Sequence, residues 1–144
     1  MHPADPHFAS RVRESFGRQK AMALIGASLK SVEPGQVEIA LPHRDDLTQQ
    51  KGFVHGGILG MIADTACGYA AFSLMPAGGS LVTVEYKINI LTPARGALVA
   101  KGKVMRAGRT LTVARAEVYA EDGKHVATMQ QTLMALPDTP DTQE

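Results

Sequence analysis

The sequence lacks the features that would identify several classes of protein directly. Its 144 residues include one cysteine, so no internal disulfide framework can form, and the cytoplasm is the expected compartment. Lysine and arginine nearly balance the acidic residues at a net charge of +1, and they are scattered, which argues against a nucleic-acid partner. Residues 58–75 are largely apolar but include Asp64, Thr65, Tyr69 and Ser73, so we expect no membrane-spanning segment.

The chain length predicts a single domain over residues 1–144. Residues 1–7 are polar with two prolines, which is typical of neither a signal peptide nor a membrane anchor. Residues 137–144 combine three acidic residues with two prolines, so we expect both terminal segments to be mobile. Four histidines show no metal-ligand spacing with one another or with the cysteine, namely His2, His7, His43 and His125, so we expect neither a metal nor another cofactor.

The stretch from Thr48 to Ala71 organises the rest of the chain. A polar loop, which begins at His43, passes there into an apolar helix that should stop before Pro76. The only carboxylate of this helix is Asp64, and a buried ionisable group needs either a partner or a function. At 3.6 residues per turn the helix has one face of small residues, predicted to leave an opening for a ligand or second chain, and one face of large residues, predicted to pack into the core. The small face comprises Gly57, Gly60, Asp64, Cys67, Gly68 and Ala71, and the large face comprises Ile58, Met61, Ile62, Thr65, Tyr69 and Phe72.

The turn His55-Gly56-Gly57 stands at the amino end of this helix. Unpaired N–H groups and the positive end of the helix dipole point outward there, so an anion or a developing oxyanion could be held. For His55 we favour fixing of the turn through one ring nitrogen over direct proton transfer. Twelve helical residues separate His55 from Cys67, about 18 Å, so we interpret Cys67 as structural and not as a nucleophile.

The remaining pattern predicts two short helical segments and a series of antiparallel strands. An amphipathic helix over Phe8–Gly17 is followed by a short helix that passes into a strand near Gly26, and Pro34-Gly35 forms a hairpin turn. Val82–Ile90 alternates so regularly that we predict a half-buried strand, with Thr83 and Glu85 on its polar face. The later strands are predicted at Leu98–Met105, Leu111–Ala120 and His125–Leu136.

This order of elements predicts an α+β fold in which one antiparallel sheet curves around the long helix. A sheet buries only one face on one helix. The other face and the edges would therefore be covered by a partner chain, which makes an oligomer the expected state.

Several of these residues resemble a known family. Gln49, Gly52, the run His55-Gly56-Gly57 and Asp64 nine positions after the histidine resemble hotdog-fold acyl-CoA thioesterases of the PaaI-like, phenylacetate-degradation type. The similarity continues through the strand at 83–87, the segment 92–94 and the Gly-Arg turn at 108–109, so it covers about residues 47–136.

The resemblance implies hydrolysis of acyl-CoA by homodimers that assemble into homotetramers, with active sites at the subunit interface. It implies that Asp64 acts as general base or nucleophile and that the Gly56 N–H polarises the thioester carbonyl. It also implies that Thr83 orients the attacking water and that Gln49 lies near the acid.

Substrate contacts are expected from Gly57 at the helix terminus and from Arg106 and Arg109, whose guanidinium groups suit the phosphates of coenzyme A. Tyr69, Phe72 and the loop around Phe53 suggest a pocket for an apolar acyl group.

Gly56 and Asp64 are eight residues apart on one helix, about 12 Å, which is too far for both to reach one carbonyl. We therefore hypothesise that Gly56 and Gln49 of one subunit face Asp64 and Thr83 of its neighbour. Two alternatives remain. A non-catalytic acyl-CoA-binding protein would show no turnover, and an enoyl-thioester hydratase resembles a pattern with histidine five residues after the acid, where this chain has Tyr69.

Overall fold

The computed structural model describes residues 1–143 as a six-stranded antiparallel sheet wrapped around one long helix, α3. The strand order across the sheet is β1-β2-β4-β5-β6-β3. In chain order the elements are α1 (Phe8–Gly17), α2 (Lys20–Ile25), β1 (Ser28–Glu33), β2 (Gln36–Leu41), a 3₁₀ turn (Asp45–Leu47), α3 (Gly56–Phe72), β3 (Ser80–Ile90), β4 (Leu98–Ala107), β5 (Leu111–Ala120) and β6 (His125–Leu136). The predicted α+β architecture and the order of its helices and strands are confirmed.

Helix α3 lies directly on the sheet because β4 carries a glycine beneath it. A Cβ atom added to Gly102 would lie 2.3 Å from the carbonyl oxygen of Ala66 in α3, closer than real Cβ contacts come. The helix around that contact is rich in alanine, and Ala63, Ala66 and Ala70 are fully buried. Small residues on both sides therefore set how closely the helix approaches the strands.

The carboxyl end of α3 is fixed by Arg11 of α1. The Arg11 guanidinium donates hydrogen bonds to the carbonyl oxygens of Phe72 (3.0 Å) and Met75 (2.7 Å), and it pairs with Asp5 at 3.0 Å. A cation at this end also interacts favourably with the helix dipole. Helices α1 and α3 are thus joined at the end remote from His55.

The two terminal segments contact the body of the protein. The Ala4 N–H donates to the Leu74 carbonyl at 3.3 Å, and Asp141 accepts hydrogen bonds from Ser15 and Arg18. The mobility of residues 1–7 and 137–144 stays a prediction, and Glu144 lies outside the described residues. Within residues 1–143, no helix is long and apolar enough to cross a membrane.

The prediction that Val82–Ile90 is half-buried is wrong for the single chain. Strand β3 is the edge of the sheet, and within residues 1–143 it pairs with no strand except β6. Its apolar side chains are correspondingly uncovered, with Val84 55% and Ile90 50% exposed. A long apolar edge strand exposes both side chains and backbone groups that a second chain could cover.

Candidate active site

Asp64 is held by one of its two carboxylate oxygens. Its Oδ1 accepts a hydrogen bond from Thr83 Oγ1 at 3.0 Å and another from Gln131 Nε2. Among the described residues 1–143, Oδ2 has no hydrogen-bond or ion-pair partner. The side chain is half-buried in the wall of a cavity. The carboxylate is therefore oriented through Oδ1, and Oδ2 keeps its lone pairs free of hydrogen bonds from the described residues.

Thr83 reaches Asp64 because β3 contains a β-bulge at Val84. The register with β6 shifts between Thr83 and Glu85, so that one extra residue is inserted and the alternation of side chains is reversed. Thr83 pairs with the buried Leu133 and points toward α3. The prediction that Thr83 shares a face with Glu85 is therefore wrong, since strict period-two alternation does not survive a bulge.

The cavity beside Asp64 has a volume of about 300 Å³ and lies between α3, β3 and the α1–α2 segment. It corrects the predicted faces of α3. Met61 and Thr65, assigned to the core-packing face, line the cavity, whereas Cys67 and Ala71 of the small face are buried. The helix is covered on most sides by the curved sheet, so side-chain size alone does not decide which stripe stays open. The lining residues are Ser15, Gln19, Ala21, Met22, Met61, Asp64, Thr65, Gly68, Tyr69, Phe72, Leu81, Thr83 and Asp141.

Tyr69 forms the polar end of this cavity. Its hydroxyl lies 3.0 Å from Ser15 Oγ and accepts a hydrogen bond from Gln19 Nε2 at 3.1 Å. Burial raises the pKa of the Tyr69 hydroxyl above its ordinary value, so this group stays protonated at neutral pH. Tyr69 and Phe72 line the cavity as expected, whereas Phe53 does not.

The amino end of α3 presents one backbone donor. His55 is the N-cap residue, and its Nδ1 accepts a hydrogen bond from the Gly57 N–H at 2.8 Å. This contact is the turn-fixing arrangement favoured from the sequence. The Gly56 N–H, by contrast, donates to no acceptor within the part of the chain that the structure describes. It is therefore available to an external oxygen.

Gln49 and Gly56 line a second cavity, of about 410 Å³, together with Phe53 and Ile90. The Gln49 side-chain oxygen accepts a hydrogen bond from the Lys51 N–H at 2.5 Å. The two cavities have no lining residue in common. One chain therefore holds the predicted carboxylate and the predicted oxyanion donor in separate openings.

Arg106 and Arg109 lie outside both cavities. Arg106 pairs with Val113 on the sheet face that points away from α3, and both arginines are exposed. Neither forms an ion pair with another residue in the range 1–143. Their guanidinium groups are thus free for an external anion, and neither lines the cavity that Asp64 of the same chain lines.

Cys67 is fully buried, and burial raises the pKa of its thiol far above the ordinary range, with the Asp64 charge adding to the effect. A thiol in this environment does not form the reactive thiolate. No cluster of three or more histidine, cysteine, aspartate or glutamate side chains within residues 1–143 is arranged to hold a metal ion.

Gln131 is the site residue that sequence reasoning missed. It lies on β6 in a row of buried apolar residues and is itself fully buried. The signal was present in the alternation of Ala127, Met129, Gln131 and Leu133, where an amide occupies an apolar position. Identifying its partner required the fold, because 67 residues separate Gln131 from Asp64.

Comparison with known proteins gives a consistent result. A family model described as the thioesterase superfamily matches residues 51–127. A thioesterase family protein from Silicibacter pomeroyi is 49% identical, with a TM-score of 0.87 over 90% of this chain and 98% of that one. A provisionally named esterase from Halobacterium salinarum is 33% identical over 67% of this chain and 68% of that protein. The PaaI protein of the E. coli phenylacetic acid degradation operon is 23% identical, with a TM-score of 0.82 over 90% of this chain and 94% of that one, which shows a common fold. The predicted hotdog fold and PaaI-like resemblance are confirmed.

Proposed function

The chain belongs to the thioesterase superfamily, and from this we propose that it hydrolyses acyl-CoA thioesters to a free acid and coenzyme A. The observation that carries the proposal is the carboxylate of Asp64, fixed through Oδ1 and unoccupied at Oδ2 in the wall of a cavity. A base or nucleophile needs this combination of fixed position and free lone pair.

In the proposed reaction Asp64 Oδ2 removes a proton from a water molecule as that water attacks the thioester carbonyl. The carbonyl oxygen gains negative charge and is stabilised by the Gly56 N–H at the positive end of α3. Collapse of the tetrahedral intermediate breaks the carbon–sulfur bond, and the proton held by Asp64 goes to the departing thiolate. His55 keeps the glycine turn in place, and Thr83 fixes the carboxylate.

The same geometry also permits direct attack by Asp64 Oδ2 on the carbonyl, which would break the carbon–sulfur bond, release the coenzyme A thiolate and give a mixed anhydride. Water would then hydrolyse this anhydride by attack on the Asp64 carbonyl. A single turnover in water labelled with heavy oxygen distinguishes the two routes. Label in the Asp64 carboxylate supports direct attack, and label in the product acid alone supports the general base.

We propose that each active site is shared between two chains of a homodimer. Gly56 and Gln49 of one chain would face Asp64 and Thr83 of the other, because the two cavities within one chain are separate and about 12 Å of helix divides Gly56 from Asp64. The uncovered apolar edge of β3, which carries Thr83, supports a partner chain on that side. Pairs of dimers would form the homotetramer.

For the substrate we propose that the phosphates of coenzyme A contact Arg106 and Arg109, which are exposed and free of ion pairs within the described chain. Gly57 would contact the substrate at the helix terminus. The cavity bounded by Phe72 and Leu81 would take an apolar acyl group. We place this reaction in the cytoplasm.

The test of the proposed function is release of free thiol from a panel of aromatic and straight-chain acyl-CoAs. Wild type, Asp64→Asn and Asp122→Asn are compared, the last being the same substitution in an exposed hairpin turn. We expect turnover by wild type and by Asp122→Asn, and loss of most of the rate in a folded Asp64→Asn. Binding of acyl-CoA without turnover by any of the three proteins would contradict the proposal.

The shared site has a test of its own. An Asp64→Ala chain and a Gly56→Pro chain are each expected to be inactive, and proline is tolerated in the first turn of a helix. Refolding the two as a mixture should restore part of the activity, since some dimers then contain one intact site. No recovery despite formation of mixed dimers would show that a single chain supplies the whole site.

A further inference from the structure

Gln131 occupies a buried position where its polar side chain lowers the stability of the fold. Its side chain is fully buried between apolar neighbours on β6, and Oε1 has no hydrogen-bond partner within the described residues. A buried acceptor without a partner loses its hydration and gains nothing in return. An apolar side chain of similar length would fill this space without that loss, so packing does not account for an amide at this position.

Among the residues that the structure describes, the one hydrogen bond of the Gln131 amide runs from its Nε2 to Asp64 Oδ1. Thr83 donates to the same oxygen from the neighbouring strand β3. Two donors from two strands fix both the position of Oδ1 and the rotation of the carboxylate plane. Oδ2 is left as the oxygen with free lone pairs.

We propose that Gln131 is a positioning residue that holds Asp64 so that Oδ2, and not Oδ1, meets the reacting water or carbonyl. This inference rests on the proposed function, because it assigns Gln131 a part in that reaction. Gln131 is not among the residues that line the cavity, so it would act through Asp64 and not through the substrate.

Two features distinguish this role from a purely structural one. A structural amide would lower stability when replaced, whereas replacement of Gln131 by methionine removes an unpaired buried acceptor and keeps the length of the side chain. A positioning amide supports the chemical step without touching bound substrate, so kcat should change and KM should not.

The experiment compares Gln131→Met with Gln130→Met, the same change on the adjacent residue, which is exposed on the other face of β6. Thiol release and urea unfolding are measured for both, with wild type and Asp64→Asn in the same assays. We expect kcat of Gln131→Met to fall by up to about 100-fold, as for a catalytic group displaced by about 1 Å. KM should stay within about twofold, the urea midpoint should equal or exceed that of wild type, and Gln130→Met should behave as wild type.

A second comparison uses Thr83→Val alone and combined with Gln131→Met. Both donors serve one oxygen, so the double variant should lose less activity than the product of the two single losses.

Three outcomes count against the inference. Retention of kcat by Gln131→Met with an active, Asp64-dependent wild type overturns the role of Gln131 and leaves the proposed function standing. A parallel fall in kcat and urea midpoint, seen also in the shorter Gln131→Asn, shows that the amide is structural. Absence of turnover by wild type on every thioester overturns this inference and the proposed function together.

Discussion

Replacing Gly102 by alanine should push helix α3 away from the sheet and lower the stability of the protein. The new Cβ would lie 2.3 Å from the Ala66 carbonyl oxygen and 2.9 Å from the Cys67 nitrogen, both backbone atoms that cannot rotate away. Ordinary van der Waals contact begins near 3.4 Å, so α3 has to retreat by about 1 Å. Overpacking of this kind costs about 1–3 kcal/mol. A loss of about 1–3 kcal/mol lowers the Tm of a chain of this length by roughly 2–12 °C.

The matched control for this prediction is Gly68→Ala in α3. No heavy atom of the described residues, apart from the chain neighbours and backbone of the helix itself, lies within 4 Å of a Cβ placed there. Alanine in a helix interior is favoured over glycine by roughly 0.5–1 kcal/mol. The same substitution should therefore raise the Tm at one position and lower it at the other. Both are measured by thermal unfolding at one protein concentration, because association changes apparent stability. A Gly102→Ala protein as stable as wild type would refute the view that backbone contact sets the position of α3.

Three further predictions concern single features of the structure. Because burial raises the pKa of the Cys67 thiol, the unfolded chain loses that proton first, and the free energy of unfolding should fall above about pH 8.5 by up to about 1.4 kcal/mol per pH unit. Urea titrations between about pH 8.5 and 9.5, below the range in which an unfolded tyrosine loses its proton, should show this fall in wild type and its absence in Cys67→Ala. A lysine at Val82, on the exposed edge of β3, should shift the assembly toward monomers in sedimentation experiments, whereas lysine at the exposed Leu24 of α2 should not. His55→Asn keeps a side-chain acceptor for the Gly57 N–H and should retain most of the kcat that His55→Ala loses; equal losses would instead favour proton transfer by the imidazole.

Much of the fold could be predicted because local patterns and tertiary structure agree over most of the chain. The alternation of β4 to β6, the Asp-Gly turn before β6 and the apolar run of α3 each indicate their element without reference to the rest. The bounds of α1 follow in the same way from the spacing of Phe8, Val12 and Phe16. In β4 the side chains that lie inward, those of Leu98, Ala100 and Val104, are the ones that the period selects.

The wrong predictions concern elements in which the position in the fold, and not the hydrophobic period, decides which side chains are buried. The alternation of Val82–Ile90 indicates a strand, but it does not show that the strand lies at the edge of the sheet, where apolar residues stay uncovered. The faces of α3 were assigned by side-chain size, although the curvature of the sheet decides that Met61 lines the cavity and Cys67 does not.

In the candidate site, too, some residues could be predicted from local sequence and others could not. Asp64 stands out in the sequence because a carboxylate interrupts an apolar helix, and His55 stands out because it precedes two glycines. The partners of Asp64 do not stand out. A β-bulge directs Thr83 toward Asp64, and the pairing of strands brings Gln131 to Asp64 from 67 residues further along the chain. Neither contact can be predicted from the local sequence.

The bulge at Val84 makes the spacing of β3 matter more than the identity of its extra residue. An uninterrupted strand could direct either Thr83 or the row of Tyr86, Ile88 and Ile90 toward α3, but not both. Deleting Val84 would leave every other side chain present and still turn the hydroxyl of Thr83 away from Asp64. Substitution of Val84 by many different residues is therefore expected to preserve the contact between Thr83 and Asp64, whereas deletion of Val84 is expected to abolish it. A comparison of sequences that scores only residue identity would miss this requirement, because it concerns the number of residues in the strand.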